Sequence, residues 1–211
     1  IPGLPHHVTQ RGNCGADVFT DDVSRQVYIS LVSKYSGRYG VKIWSYCLMR
    51  NHVHMVLVPE FKTSLALTLR ETNTAYSNWF NRRRGVSGHL WQARYYSCLM
   101  DEAHLWAAVR YVERNPVRAG IVDRAEQYPW SSAPARCASR GDLLLAGDFP
   151  PPQVVKDWSA WLADEDIAAS DAIRRCTRVG RPAGPSAFIQ KLEKLLGYSL
   201  QPRKRGPKPR T

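Results

Sequence analysis

The chain has 211 residues, of which 44% are hydrophobic and 10% are aromatic. This length and composition suit one catalytic domain with a small appended unit, and they exclude a largely disordered chain. No apolar run approaches the roughly eighteen residues that a membrane-spanning helix requires, and nothing at the N-terminus has the pattern of a secretory signal. We therefore expect a cytoplasmic protein that does not contact a membrane.

The formal charge of +12 is unevenly distributed along the chain. Residues 178–211 contain nine Lys or Arg and one acid, Glu193, so two thirds of the excess charge lies in that segment. Such density favours a polyanionic partner, through neutralisation of phosphates and release of counterions. A solvated basic tail is the alternative interpretation. The five cysteines have no C-x-x-C pair, which indicates reduced thiols rather than a zinc or redox site.

Four segments have the pattern of strands and three have the pattern of helices. The strands are predicted at 6–10, 41–49, 52–58 and 94–100. The helices are predicted after Asp21-Asp22, from Ser64 to about Arg82, and from Asp101-Glu102 to a limit at Pro116. This order of elements predicts an α+β fold of the ferredoxin-like (RRM-like) kind, an antiparallel sheet with helices packed on one face.

The predicted catalytic domain occupies residues 1–138. The composition then shifts to Gly, Asp and Pro, including Pro150-Pro151-Pro152, which predicts a linker at 139–156. Beyond it, two short amphipathic segments predict a small helical extension at 157–200. Residues 201–211 lack the apolar side chains needed for a core, so they are expected to form an extended basic tail.

His52 and His54 form a His-x-His pair on the predicted second strand of a hairpin. Side chains alternate between the two faces of a strand, so both imidazoles project to the same side. Two imidazole nitrogens placed in this way are able to share a divalent metal ion. The alternative is a pair of histidines satisfied by ordinary hydrogen bonds.

Tyr111 and Asn115 are four residues apart, a spacing that places both on one face of a helix. One element would then present a phenol and an amide oxygen together. On pattern alone, a packing role beside the apolar stripe of its helix is the better interpretation of Tyr111. Tyr95 and Tyr96 are competing nucleophiles on a predicted strand. Strand tyrosines are more often packing or base-stacking groups. Glu113 is expected at the surface.

Four segments together resemble one known family in the order that the family shows. They are Leu48-Met-Arg-Asn-His-Val-His-Met55, Gly88-His-Leu-Trp-Gln-Ala-Arg-Tyr95, Tyr111-Val-Glu-Arg-Asn-Pro-Val-Arg-Ala-Gly120 and Tyr128-Pro-Trp-Ser-Ser132. With them, residues 1–135 resemble the HUH single-strand transposases, named for two histidines around a hydrophobic residue. The resemblance is specifically to the IS200-like and REP-associated tyrosine transposases.

The resemblance implies that His52 and His54 bind Mg or Mn, that Asn115 completes the protein ligands, and that Tyr111 attacks the scissile phosphate. The products would be a 5′-phosphotyrosine and a free 3′-hydroxyl, and a different 3′-hydroxyl would then rejoin the strand. The expected substrate is single-stranded, hairpin-forming DNA such as repeated extragenic palindromes. Some branches of the family use Gln or an acid where this chain has Asn115.

Basic and amide side chains near these segments are the candidate DNA contacts, because arginines beside aromatic rings suit phosphate pairing and base stacking on unpaired strands. They are Arg50, Asn51, Arg82, Arg83, Arg84, Arg94, Arg114 and Arg118. Two other functions compete: a non-catalytic nucleic-acid-binding regulator on the same scaffold, and a nuclease in which water attacks. The sequence leaves monomer and homodimer equally open.

Overall fold

The computed structural model describes residues 1–149, 154–164 and 166–200. Its strands are β1 (His6–Arg11), β2 (Val41–Met49), β3 (His52–Pro59) and β4 (Tyr96–Leu99). Its helices are α1 (Asp22–Tyr39), α2 (Ser64–Arg84), α3 (Glu102–Glu113), α4 (Asn115–Arg118), α5 (Ala133–Cys137), α6 (Trp158–Ala163), α7 (Ile167–Val179) and α8 (Ser186–Leu196).

The four strands form one antiparallel sheet in the order β2-β3-β1-β4. β2 and β3 are a hairpin, and β1 lies between that hairpin and β4. The prediction of an antiparallel α+β fold of the ferredoxin-like kind is therefore confirmed. Within the described residues, no helix combines the length and apolar character needed to cross a membrane.

Different helices cover the two faces of the sheet, and the side chains of β3 alternate between these faces. Val53, Met55 and Leu57 are buried in a core that α1 and α2 complete. His52 and His54 point to the opposite face, where α3 packs against β2 and β3 and α7 packs against β1 and β4. The sequence predicted the helices on one face, whereas the structure has α1 and α2 on one face and α3 and α7 on the other. The histidines lie beneath α3 and α7.

Local signals explain where α1 begins and ends. Asp21 accepts a hydrogen bond from the backbone nitrogen of Ser24 at 2.8 Å, and the Ser24 hydroxyl accepts one from the Asp21 backbone nitrogen, which makes a reciprocal capping box. Gly40 ends the helix in the left-handed conformation, with φ of 64°. The chain then turns directly into β2, so the C-terminal end of α1 is held against the sheet.

Glu113, expected at the surface, is fully buried at the end of α3. Its carboxylate accepts hydrogen bonds from the Ser132 hydroxyl and the Trp158 indole, each at 2.6 Å, and from the Ser45 hydroxyl at 3.3 Å. The Arg136 guanidinium lies 3.2 Å away and is itself 5% exposed. Burial raises the pKa of the Glu113 carboxyl, and Arg136 opposes that rise. The surface prediction was wrong because the partners of Glu113 come from distant segments.

The segments that follow the sheet also contact it. Asp148 accepts hydrogen bonds from Lys42 at 2.6 Å and from the Trp44 indole at 3.1 Å, and the Phe149 ring stacks on Trp44 with centroids 4.6 Å apart. The Trp158 ring of α6 contacts Trp106 of α3. The predicted Pro150–Pro152 part of the linker and the tail at 201–211 lie outside the described residues. The domain boundaries remain a prediction.

We expect Glu113→Leu to lower the free energy of unfolding by about 3–5 kcal/mol, because it leaves the buried Arg136 guanidinium without its counter-charge. Urea denaturation followed by tryptophan fluorescence measures the change. The control is Glu71→Leu, which removes a partly exposed ion pair with Arg70 and should cost less than about 1 kcal/mol. Adding Arg136→Met to Glu113→Leu should recover part of the loss. Equal, small effects of both single changes would contradict this account.

Candidate active site

Two histidines of β3 stand side by side on the face covered by α3. The ring centroids of His52 and His54 are 4.9 Å apart, with the rings nearly perpendicular. His54 is 7% exposed, and His52, at the start of the strand, is half-buried. The structure therefore places both predicted imidazoles on one side of the sheet, next to the turn that joins β2 and β3.

Tyr111 lies directly beside this pair. It belongs to α3, and its ring centroid is 5.4 Å from that of His54, with the rings edge to face. α3 presents Tyr111 to the sheet because Leu105, Ala108 and Val112 bury the same helix against β2 and β3. Tyr111 is 7% exposed. The packing of α3 thus brings the predicted nucleophile against a predicted metal ligand from a distant part of the chain.

A third histidine, His7 of β1, completes the cluster and was missed from the sequence. Its ring is nearly parallel to that of His54, with centroids 5.2 Å apart, and it meets Tyr111 edge to face at 5.6 Å. His7 Nε2 is 3.0 Å from His54 Nδ1, and His7 Nδ1 is 2.7 Å from the Thr177 hydroxyl of α7. The sequence does show His6-His7 on a predicted strand. Only the pairing of β1 with β3 brings His7 next to His54, and the sequence alone does not reveal that pairing.

The three imidazoles are neutral at neutral pH. Burial and the nearby Arg11 lower the pKa of His52 to about 4. Burial and the nearby Arg118 lower the pKa of His7 to about 3. Burial, followed by the neighbouring histidines, holds the pKa of His54 well below its ordinary value. A metal ligand must be an unprotonated imidazole nitrogen, so these side chains are in the required charge state.

Asn115 opens α4 instead of ending α3, because the backbone of Arg114 leaves the helical conformation between them. The Asn115 side chain is buried, and its amide nitrogen has no hydrogen-bond partner. Within the described residues, no three His, Cys, Asp or Glu side chains are arranged to hold a metal. Two imidazoles and an amide oxygen remain as the donor set, which fits a weakly held ion completed by phosphate or water oxygens.

Two arginines flank Tyr111. The Arg118 guanidinium lies 4.0 Å from the centroid of the ring, and its Nη2 donates to the Tyr111 carbonyl at 2.9 Å. Arg174 of α7, absent from the prediction, is exposed, and its Cζ is 5.7 Å from the same centroid. A hydrogen bond with Tyr111 raises the pKa of Arg174, and Asp171 adds to that rise. Positive charge therefore surrounds the phenol.

The other predicted DNA contacts differ in accessibility. Arg50 is exposed in the hairpin turn, where it pairs with Asp17 at 3.0 Å. Asn51 is bound to its neighbours, since its Oδ1 lies 2.6 Å from His52 Nδ1. Arg114 is 9% exposed and donates to the carbonyl oxygens of Leu162 and Ala163 in α6. The structure thus places Arg114 in an interhelical contact.

The end of α2 is a basic surface. Arg82, Arg83 and Arg84 are all exposed there. Arg83 pairs with Asp21 at 2.9 Å and its guanidinium lies over the Trp79 ring, while that of Arg84 lies over Phe80. These contacts fix the guanidinium groups on an aromatic surface while they stay open to a phosphate backbone.

A groove of about 1120 Å³ runs between α2 and the segment that leads into β4. Gln10 lies at its base, 3% exposed: its side-chain nitrogen donates to the Ala93 carbonyl at 2.8 Å, and its Oε1 has no partner. The walls are polar and aromatic and include Asn73, Ser77, His89, Trp91, Arg94, Tyr95 and Tyr96. A buried acceptor without a donor, set among aromatic rings, fits the edge of an unpaired base.

The comparison with known families decides the assignment. The family described as "Transposase IS200 like" matches residues 3–115, more than half of the chain. The chain belongs to the IS200-like transposase family. Members of this family are tyrosine transposases, enzymes that cleave DNA and transfer strands. The matched span contains His7, His52, His54, Tyr111 and Asn115, whereas Arg174 and Thr177 lie beyond it.

Two relatives illustrate the similarity of this transposase to known proteins. A REP-associated tyrosine transposase of Haemophilus influenzae is 24% identical in an alignment 123 positions long, and the match covers 49% of this chain and 70% of that protein. A solved structure of a REP-associated tyrosine transposase bound to a REP hairpin superposes with a TM-score of 0.55 and 22% identity. The superposition covers 70% of this chain and 88% of the other. At that identity it shows the shared fold.

We expect the fold of this transposase to lose stability as the pH falls from 7 to 4. Unfolded histidines titrate near 6.5, whereas folded His6 and His52 titrate near 4 and His7 near 3. Below pH 6.5 the unfolded chain therefore binds protons that the folded chain does not, at a cost of about 1.4 kcal/mol per pH unit for each histidine. Urea titrations at several pH values measure the slope. His7→Gln should make it shallower, and a slope identical to that of the wild type would refute the assignment.

Proposed function

We propose that this transposase cleaves and rejoins single-stranded, hairpin-forming DNA, with Tyr111 as nucleophile and a divalent metal at His52 and His54. The observation that carries the proposal is the position of the Tyr111 ring, 5.4 Å from that of His54. A phenol, two neutral imidazoles and two guanidinium groups within one site are more than a binding surface needs. They suit a reaction in which negative charge develops on phosphate oxygens.

In the proposed reaction, the Tyr111 hydroxyl attacks the scissile phosphorus, and a new bond forms between the phenolic oxygen and phosphorus. The bond from phosphorus to the 3′-oxygen breaks, and the released 3′-oxygen takes up a proton. Arg118 and Arg174 are positioned to stabilise negative charge beside the phenol. The step reverses when a different 3′-hydroxyl attacks the phosphotyrosine, so the bond energy is conserved and no nucleotide cofactor is required.

His52 and His54 would hold Mg²⁺ or Mn²⁺, and Asn115 would add an amide oxygen. A bound ion supplies Lewis-acid polarisation of a phosphoryl oxygen and orients the ester for in-line attack. Asn115 is buried at the start of α4, four residues after Tyr111. That position supports Asn115 as the third protein ligand.

We assign the groove beside α2 to unpaired nucleotides next to the hairpin. Trp91, Tyr95 and Tyr96 offer rings for stacking, Arg94 offers a phosphate contact, and the unpartnered Gln10 Oε1 offers an acceptor to a base amino group. The arginines at the end of α2 extend the basic surface from one end of the groove. A nucleic-acid-binding regulator is the second candidate, and the 7% exposure of Tyr111 is the observation in its favour.

The covalent step is tested with a labelled hairpin oligonucleotide that carries unpaired flanks, incubated with protein and Mn²⁺ or Mg²⁺ and run on a denaturing gel. We expect a protein–DNA adduct that is lost in Tyr111→Phe and in the presence of chelator. Tyr96→Phe is the matched control, because it removes an exposed hydroxyl on β4 but keeps the ring assigned to stacking, and it should retain the adduct.

The other outcomes discriminate between the functions. Metal-dependent cleavage without an adduct would show that water is the nucleophile. Binding without cleavage, across hairpins of varied stem and flank, would favour the regulator and defeat the proposed covalent step.

We expect Arg94→Ala to weaken binding of an unpaired oligonucleotide and to reduce the slope of log affinity against log salt by about 0.7, the contribution of one phosphate contact on a single strand. Fluorescence anisotropy at several salt concentrations measures both quantities. Arg38→Ala, at the exposed end of α1, is the control and should leave the slope unchanged. An unaltered slope in Arg94→Ala would remove Arg94 from the interface.

A further inference from the structure

The hydrogen bonds of His52 define which of its nitrogens carries the proton. The Asn51 amide nitrogen donates to the Gly15 carbonyl at 3.1 Å, so the amide oxygen faces His52 and can only accept. That oxygen lies 2.6 Å from His52 Nδ1. His52 therefore has its proton on Nδ1, and its Nε2 has a free lone pair. Asn51, assigned to DNA from the sequence, orients this imidazole.

His54 has an equivalent arrangement with a different partner. Its Nδ1 lies 3.0 Å from His7 Nε2, and His7 Nδ1 lies 2.7 Å from the Thr177 hydroxyl. Two proton arrangements satisfy this chain. In one, His54 donates to His7 and His7 donates to Thr177. In the other, Thr177 donates to His7, His7 donates to His54, and the proton left on His54 Nε2 blocks that nitrogen.

Only the first arrangement leaves both β3 histidines with an unprotonated Nε2. His7 is 1% exposed and Thr177 is 4% exposed, so water does not compete for these hydrogen bonds. Histidines that bind metals characteristically donate their second ring N–H to a neighbouring acceptor, which fixes tautomer and ring orientation. His7 is placed to be that acceptor for His54, as Asn51 is for His52.

We propose that His7 is a positioning residue that holds His54 as the Nδ1–H tautomer with Nε2 directed to the metal, and that Thr177 of α7 fixes His7 in turn. The proposal rests on the proposed function for the identity of the ligand at Nε2. It assigns α7, which lies beyond the span matched by the family, a role in preparing the metal site.

The tautomers are measured first, on metal-free protein with ¹⁵N-labelled histidine, by long-range proton–nitrogen correlation. We expect His52 and His54 both to have the proton on Nδ1, and His7 to have it on Nδ1 with Nε2 as the acceptor. His54 protonated on Nε2 in the wild-type chain would overturn the proposal.

The affinity for Mn²⁺ is measured next, by electron paramagnetic resonance without DNA. His7→Phe keeps an aromatic ring but removes the acceptor, and we expect a loss of about 10- to 100-fold. His7→Gln, whose amide oxygen can accept from His54, should recover most of the affinity. His6→Gln is the control, because His6 is bonded to Ser97 on the other side of β1, and it should bind Mn²⁺ as the wild type does.

Thr177→Val and Thr177→Ser test the hydrogen bond between Thr177 and His7. They also test the proposal if His7→Phe does not fold. We expect Thr177→Val to weaken Mn²⁺ binding and to shift His54 toward the Nε2–H tautomer, and Thr177→Ser to do neither. Unchanged Mn²⁺ affinity in folded His7→Phe, or in Thr177→Val, would overturn the proposal. If the wild type forms no DNA adduct while these tautomer and affinity results hold, the proposed function fails and the positioning role stands.

Discussion

The antiparallel pairing of β1 with β3 is the constraint on which the rest of the site depends. It sets Thr9 opposite His54 and Val56 opposite His7, so the two imidazoles become diagonal neighbours on one face. A shift of one residue would move the histidines of β3 to the face of α1 and α2, and would turn their apolar neighbours toward α3 and α7 instead. The core beneath α1 and α2 therefore fixes the register of the histidines, because it buries the alternate residues of the same strand.

The position of Tyr111 follows from a second constraint, at the end of α3. Glu113 lies two residues after Tyr111, and hydrogen bonds from Ser132 and Trp158 and the charge of Arg136 hold its carboxylate in the interior. A buried charge is tolerated only with such partners. These contacts hold the end of α3 against α5 and α6, and so they help to set the orientation of the Tyr111 phenol.

The sequence predicted what local patterns determine. The hairpin of β2 and β3, the long helix α2 and the shared side of His52 and His54 all follow from alternation or helical spacing, and the fold class was predicted correctly. His7 and Glu113 were misjudged because their partners are far away in the chain, and a charge near a helix end is ordinarily solvated. The predictions for the extension also omitted α7, although Ile173 and Thr177 are buried one turn apart on it.

α7 links the two halves of the site. Thr177 contacts His7, and Arg174 contacts Tyr111. The two residues are three apart in α7, so they lie on the same face of the helix. This one element thus contacts both the proposed nucleophile and His7, which lies behind the proposed metal ligands. Under the proposed function, a displacement of α7 would alter the environment of Tyr111 and that of His54 together. The match to the family ends at residue 115, so a helix outside the matched span contacts two residues of the candidate site inside it.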